Sequence, residues 1–209
     1  MKNSIAILGI HTGIGKTISS AVIAQAMGAD YWKPVQAGLE ERDAALVTKL
    51  LTNGTERVHE EAVKLQRPMS PHAAAAAEGI EIDYTSFKWP HTDKTLIVET
   101  AGGILSPMSA STTMADFVGH YGLPAILIVQ NYLGSINHTL LSIEVLKSRG
   151  IKLLGLVING AANEASETFI EQYAHVPVLA RIPHFDKLDN GTIAKCAAEI
   201  QHSFSGLDF

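Results

Sequence analysis

The chain has 209 residues, of which 46% are hydrophobic and 18% charged, with a formal net charge of −5. That length and apolar content suit one sizeable core and predict a single domain over residues 1–209. The acidic balance argues against a nucleic-acid surface, so any anionic ligand must be held by local arrangement rather than by overall charge.

In chain order, short runs of Ile, Leu and Val bounded by turn residues recur as IAILG (5–9), TLIVE (95–99), AILIVQ (125–130), LLGLVIN (153–159) and VPVLARI (176–182). Such runs suit strands buried on both faces. DYWKPV (30–35) adds a shorter strand. Between them, amphipathic stretches at 17–27, 43–51, 114–121, 136–149 and 164–174 suit helices, and AAAAA (73–77) follows Pro71 at a first helical position. The alternation predicts an α/β fold, a parallel sheet flanked by helices on both faces. Cys196, the single cysteine, excludes an intramolecular disulfide and a cysteine-based metal cluster, and sits in helical-looking IAKCAAEIQH. IAILGI is too short for a signal peptide and no apolar run reaches the length of a membrane span, so a cytoplasmic protein is expected. The nine histidines show no HExxH or paired spacing, so a zinc site is not expected.

In an open parallel sheet, ligands collect beyond the carboxyl ends of the strands, and the residues after each apolar run follow that rule. The first strand leads through GIHTGIGKT into a helix, the context of a phosphate-binding loop. Five residues rather than four separate Gly9 from Gly15-Lys16-Thr17. Gly13 and Gly15 permit torsions that turn successive N–H groups toward phosphate oxygens. Lys16 would neutralise the β and γ phosphates, Thr17 would offer its hydroxyl to Mg²⁺, and the helix N-terminus adds a favourable field. KPVQAG follows the second run; Lys33, held extended by Pro34, is a candidate for an anionic substrate or the transferring phosphoryl group. Glu99 closes TLIVE ahead of Ala101-Gly102-Gly103 and is a candidate for holding Mg²⁺. Asp43 opens a helix and reads equally as a cap or as a metal ligand. Gly134, Ser135, Ile136 and Asn137 lead into a long helix whose free N–H groups could receive a carboxylate, or they simply cap it. Asn159 suits the edge of a purine base, although Asn-Gly is also a good turn.

Taken together, these segments resemble the dethiobiotin synthetase family, nearly end to end. GIHTGIGKT matches the family's GTDTGVGKT with its extra loop residue, KPVQAG matches KPVQTG, and SPHAAA matches SPHLAA. VETAGG matches VEGAGG, and LGSINHTLL matches LGTINHTLL, with an Asp in ERDAAL and a VIN after the fifth strand. The resemblance implies an ATP- and Mg²⁺-dependent cyclo-ligase that converts 7,8-diaminopelargonic acid and CO₂ (or bicarbonate) to dethiobiotin in biotin biosynthesis, releasing ADP and phosphate. It implies that Gly13, Ile14, Gly15, Lys16, Thr17 and Ile18 bind the triphosphate and that Thr17, Asp43 and Glu99 hold the metal. Thr100, Ala101 and Gly102 flank the nucleotide, while Asn159, Gly160, Pro183, His184 and Phe185 adjoin the base. Lys33, Lys16 and Thr12 carry the catalytic assignment. It further implies a homodimer in which Gly134 to Asn137 of one subunit receive the substrate's carboxylate in the other's site, with Lys33 also touching substrate. This chain departs from the family in having His11 for the loop Asp, Ala37 for a Thr or Ser hydroxyl, and Thr100 for Gly. The rival class is a nucleotide-switch ATPase of the partition and septum-site type. Those carry an extra lysine early in the loop, and HTGIGKT has none before Lys16.

Overall fold

The structure is a computed structural model of the chain and describes residues 3–207 and residue 209. Its elements run β1 (Ser4–Gly9), α1 (Lys16–Met27), β2 (Asp30–Trp32), β3 (Val35–Ala37), α2 (Asp43–Leu50), α3 (Gly54–Arg57), β4 (Val58–His59) and β5 (Val63–Leu65). They continue with α4 (Pro71–Glu78), β6 (Leu96–Glu99), α5 (Met114–His120), β7 (Ala125–Gln130), α6 (Ser135–Ser148), β8 (Leu153–Asn159), α7 (Glu164–Ala174), β9 (Val178–Ile182) and α8 (Asn190–Ile200). Seven strands form one parallel sheet in the order β4-β2-β6-β1-β7-β8-β9. Helices flank it, α1 packing with α2 and α8, and α6 with α7.

Every residue of β1 and β6 is buried, which is why these runs read as unbroken apolar stretches rather than as alternating ones. Each fully buried Ile or Leu here contributes roughly 1.5–3 kcal/mol relative to exposure. The helix ends follow local chemistry. Gly15 (φ 81°) precedes α1 and Gly28 (φ 61°) ends it, both in the left-handed region that a side chain disfavours. Pro71 opens α4, where its missing N–H costs nothing. Capping boxes close the starts of α5 (Thr113 with Asp116) and α8 (Asp189 with Thr192).

The expected strand over 30–35 divides in two. Lys33-Pro34 interrupts it, because proline has no N–H to continue the ladder. β2 ends at Trp32 in the main sheet, and Val35–Ala37 pair instead with Val63–Leu65 in a separate parallel ribbon. Two or three residues of β4 and β5 are too few to carry a periodicity, so the segment around 58–65 had no sequence signal.

Candidate phosphate-binding and catalytic site

Strand register brings the chemistry together. In the β1–β6 pairing Ile7 lies opposite Glu99, and in the β2–β6 pairing Trp32 lies opposite Val98. Lys33, one residue past Trp32, therefore emerges beside Glu99 at the carboxyl end of the sheet. Its ammonium donates to Glu99 Oε1 at 3.1 Å and makes a close ion pair with Asp43 Oδ2. Thr17 Oγ1, at the first turn of α1, lies 2.7 Å from Asp43 Oδ1 and 3.0 Å from Glu99 Oε1. Tyr31 completes the set from below, its hydroxyl donating to Glu99 Oε2 at 3.0 Å.

Lys33 is only 6% exposed and Glu99 1% exposed. An isolated charge at such depth would be lost to desolvation; here each has opposite charge and hydrogen bonds. Burial pulls the Lys33 pKa down, but Glu99 and Asp43 outweigh it, so the ammonium is held above its ordinary value. Burial together with Glu99 raises the Tyr31 phenol well above its own. Lys16 is different. Burial lowers its pKa to about 8, Lys33 adding to the fall and Glu99 and Asp43 opposing it. Its Nζ donates to the His11 carbonyl at 3.2 Å, folding the lysine back along the loop.

The N-cap residue of α2, Arg42, makes no side-chain cap, and the Asp43 carboxylate turns away from the helix's own N–H groups to Thr17 and Lys33. A hydroxyl and two carboxylates converging on a point are hard oxygen donors of the type Mg²⁺ prefers, with remaining positions left to phosphate oxygens and water. The residues present thus fit that cation.

Above this cluster opens a cleft of about 660 Å³. Thr12, Gly13, Gly15, Lys16, Thr17, Ile18, Lys33, Asp43, Glu99, Ala101 and Gly102 all line it, so one cavity gathers most of the expected phosphate, metal and catalytic residues. Ala37 lines it too and leaves its wall without a hydroxyl there.

A family model described as an AAA domain matches residues 3–192. The ATP-dependent dethiobiotin synthetase BioD of Christiangramia forsetii is 45% identical over 192 residues, spanning 90% of this chain and 92% of that protein. The protein of the same name from Nitrobacter hamburgensis is 40% identical over 200 residues, spanning 95% and 94%. The chain belongs to the dethiobiotin synthetase family. Among solved structures, the MinC:MinD cell division complex of Aquifex aeolicus aligns at TM-score 0.55 with 13% identity, covering 99% of this chain and 97% of that one. That likeness shows a shared fold, an open parallel sheet flanked by helices, and nothing of activity.

Against the dethiobiotin synthetase pattern, several expected residues lie elsewhere. Ile14 is buried beneath the loop, and its carbonyl accepts a 2.8 Å hydrogen bond from Asn159 Nδ2. Asn159 therefore braces the phosphate loop against β8. A Cβ on Gly15 would stand 2.2 Å from that same Nδ2 and displace the Asn159 brace, and the φ of +81° disfavours any side chain there. Thr100 points away from the cleft; buried, it donates its hydroxyl to the Ile7 carbonyl at 3.0 Å. Gly160 (φ 92°) turns the chain while its N–H donates to Ile182. Pro183 and His184 are exposed, and neither they nor Phe185 line the cleft. Gly134 to Asn137 likewise lie outside it, at an α6 N-terminus with no side-chain cap. His11 is exposed, its ring 6.4 Å from that of His138 and 6.5 Å from that of Tyr132. Sequence reasoning did not single out Gln36 and Ser106, which line the cleft, Ser106 Oγ accepting from the Gly103 N–H at 2.7 Å, or Tyr31, which donates to Glu99. Gln36 carried a signal, being a polar residue between apolar neighbours in a strand.

Proposed function

We propose that this chain closes the cyclic urea of dethiobiotin from 7,8-diaminopelargonic acid, CO₂ and ATP. The observation that supports it most directly is the convergence of Lys33, Asp43, Glu99 and Thr17 beneath a phosphate loop, in a chain 40–45% identical to ATP-dependent dethiobiotin synthetases. One amine of the substrate takes up CO₂ as a carbamate with loss of a proton. A carbamate oxygen attacks the γ-phosphorus and ADP departs. The second amine then attacks the carbonyl carbon, loses a proton and expels phosphate, leaving the ring.

Two anions must meet in this reaction, and the chain's residues lower their repulsion. The loop N–H groups and the α1 N-terminus face the polyphosphate, Lys16 neutralises its outer oxygens, and Lys33 lies where the transferring group and the carbamate come together. Thr12, on the cleft wall, is placed to donate a hydrogen bond. Thr17, Asp43 and Glu99 would hold Mg²⁺, which when bound supplies compensating charge to the phosphate oxygens. Pro183, His184 and Phe185 would adjoin the base.

The substrate's carboxylate is assigned to the α6 N-terminus of a second subunit. At that helix start the Ser135 N–H donates to the Tyr132 carbonyl at 2.9 Å, no side chain caps the helix, and the first-turn N–H groups that lack an intrahelical acceptor would receive the carboxylate. Leu133 is wholly exposed beside it, and Leu141 and Leu105 are half exposed, the apolar surface a subunit contact would cover. The test is phosphate release with and without the diamine and bicarbonate, with dethiobiotin followed by mass spectrometry. Release that needs both and yields product supports the assignment; equal release without the diamine points to a nucleotide switch instead.

A further inference from the structure

Asp43 sits on the first residue of α2, and something must hold that helix start at the height of Glu99 and Thr17. Its own N-cap residue does not, since Arg42 makes no side-chain cap. The partner comes from the ribbon that sequence periodicity did not reveal. Gln36, on β3, is 4% exposed, and its Oε1 accepts from the Asp43 N–H at 3.2 Å. Its Nε2 donates to the Gly38 carbonyl at 2.9 Å and the Ala37 carbonyl at 3.3 Å. One carboxamide thus caps α2 from outside the helix and ties it to the turn at Gly38, whose N–H is in turn fixed to Leu65. Glu61, its side chain fully buried, grips the Arg42 guanidinium by both oxygens and holds the same corner from the other side.

An amide buried in a strand is costly unless every polar atom is paired, and an apolar residue would fill that space more cheaply. We infer that Gln36 is a positioning residue for the divalent cation. Through the Asp43 backbone it sets the carboxylate against Glu99 and Thr17; Gln36 lines the same cleft, but its side-chain oxygen and nitrogen are taken by the Asp43 N–H and by the Ala37 and Gly38 carbonyls. This inference rests on Asp43 being a metal ligand, as proposed above.

The experiment measures Mn²⁺ binding in the presence of ADP by the loss of the free-ion EPR signal, on wild type, Gln36→Leu, Gln36→Met and Asp43→Asn. ADP affinity in EDTA is measured in parallel. Either apolar variant keeps the volume, so one serves if the other does not fold. The expected result is a Mn²⁺ Kd raised about tenfold, at the upper end of what one neutral hydrogen bond contributes, with metal-free ADP affinity within about twofold of wild type. Unchanged Mn²⁺ binding in the Gln36 variants, beside a clear loss in Asp43→Asn, overturns the positioning role. So does an equal loss of Mn²⁺ and metal-free ADP binding, which would mean that Gln36 merely supports the fold. If Asp43→Asn itself binds Mn²⁺ normally, the metal reading of Asp43 fails first and takes this inference with it.

Discussion

Lys16 has a buried ammonium whose pKa is lowered to about 8, with burial the leading cause. A nucleotide's polyphosphate would pull that pKa back up, so the bound form keeps the proton while the free form releases it as pH rises through 8. Between about pH 7.5 and about pH 9.5 the protonated fraction of free Lys16 falls from roughly three-quarters to about 3%, which weakens nucleotide binding by about 25-fold, or about 2 kcal/mol. Isothermal titration of Mg·ADP across that range measures it directly, since ADP's phosphates are already ionised at the lower end. Lys16→Gln is the control, with weaker affinity that stays nearly flat. Folding stability should move in the opposite sense. The folded-state pKa lies below the unfolded value, so the unfolded chain holds more protons between about 8 and 10.5, and stability relative to Lys16→Gln rises with pH over that window by an amount on the order of 3 kcal/mol. A wild-type affinity that stays level to about pH 9.5, or a control with the same slope, would refute this account of Lys16.

Three further outcomes follow from the geometry. Lys33→Ala should abolish turnover and also destabilise the metal-free protein by about 3–5 kcal/mol, because Glu99 and Asp43 lose their buried counter-charge; thermal melts should show Mg²⁺ restoring part of it, and a melting temperature equal to wild type would contradict the pairing. Asn159→Ala should weaken ATP and GTP alike through the freed Ile14 carbonyl, whereas a selective gain in GTP binding would mark Asn159 as a reader of the base. Thr100→Val should leave nucleotide affinity unchanged and cost about 1 kcal/mol in denaturant unfolding, since the Ile7 carbonyl keeps the Thr100 N–H.

The phosphate loop was legible because its chemistry is local: nine consecutive residues supply the glycines, the lysine, the hydroxyl and the helix start. The pairing of Lys33 with Glu99 was not, since 66 residues separate them and only the β2–β6 register makes them neighbours. Asp43 was ambiguous for a physical reason. The same residue type at a helix start either accepts the helix's own N–H groups or turns outward, and only the position of Thr17 and Lys33 decides which. Thr100 shows the limit from the other side. A hydroxyl in a nucleotide-binding motif reads as a ligand until the strand pairing reveals the β1 carbonyl that it satisfies.

These placements share one electrostatic logic. Lys16, Lys33, Asp43 and Glu99 are all in or beside one cleft, and their formal charges cancel, two positive against two negative. A neutral set can be buried without a ligand, which a cluster of like charges could not. It is nonetheless polarised. Lys16 and the α1 N-terminus lie along the loop, while the two carboxylates close around Thr17 with Lys33 between them. On the proposed function, an incoming polyphosphate would be drawn to one end and its cation to the other. Because Lys33 and that cation seek the same carboxylate oxygens, cation binding should loosen the ammonium's grip on Asp43 and release it toward the cleft, where the carbamate and the γ-phosphate are proposed to meet. On that proposal the lysine would be most available for transfer once metal and nucleotide are both in place; without them it holds the carboxylates of Asp43 and Glu99 together.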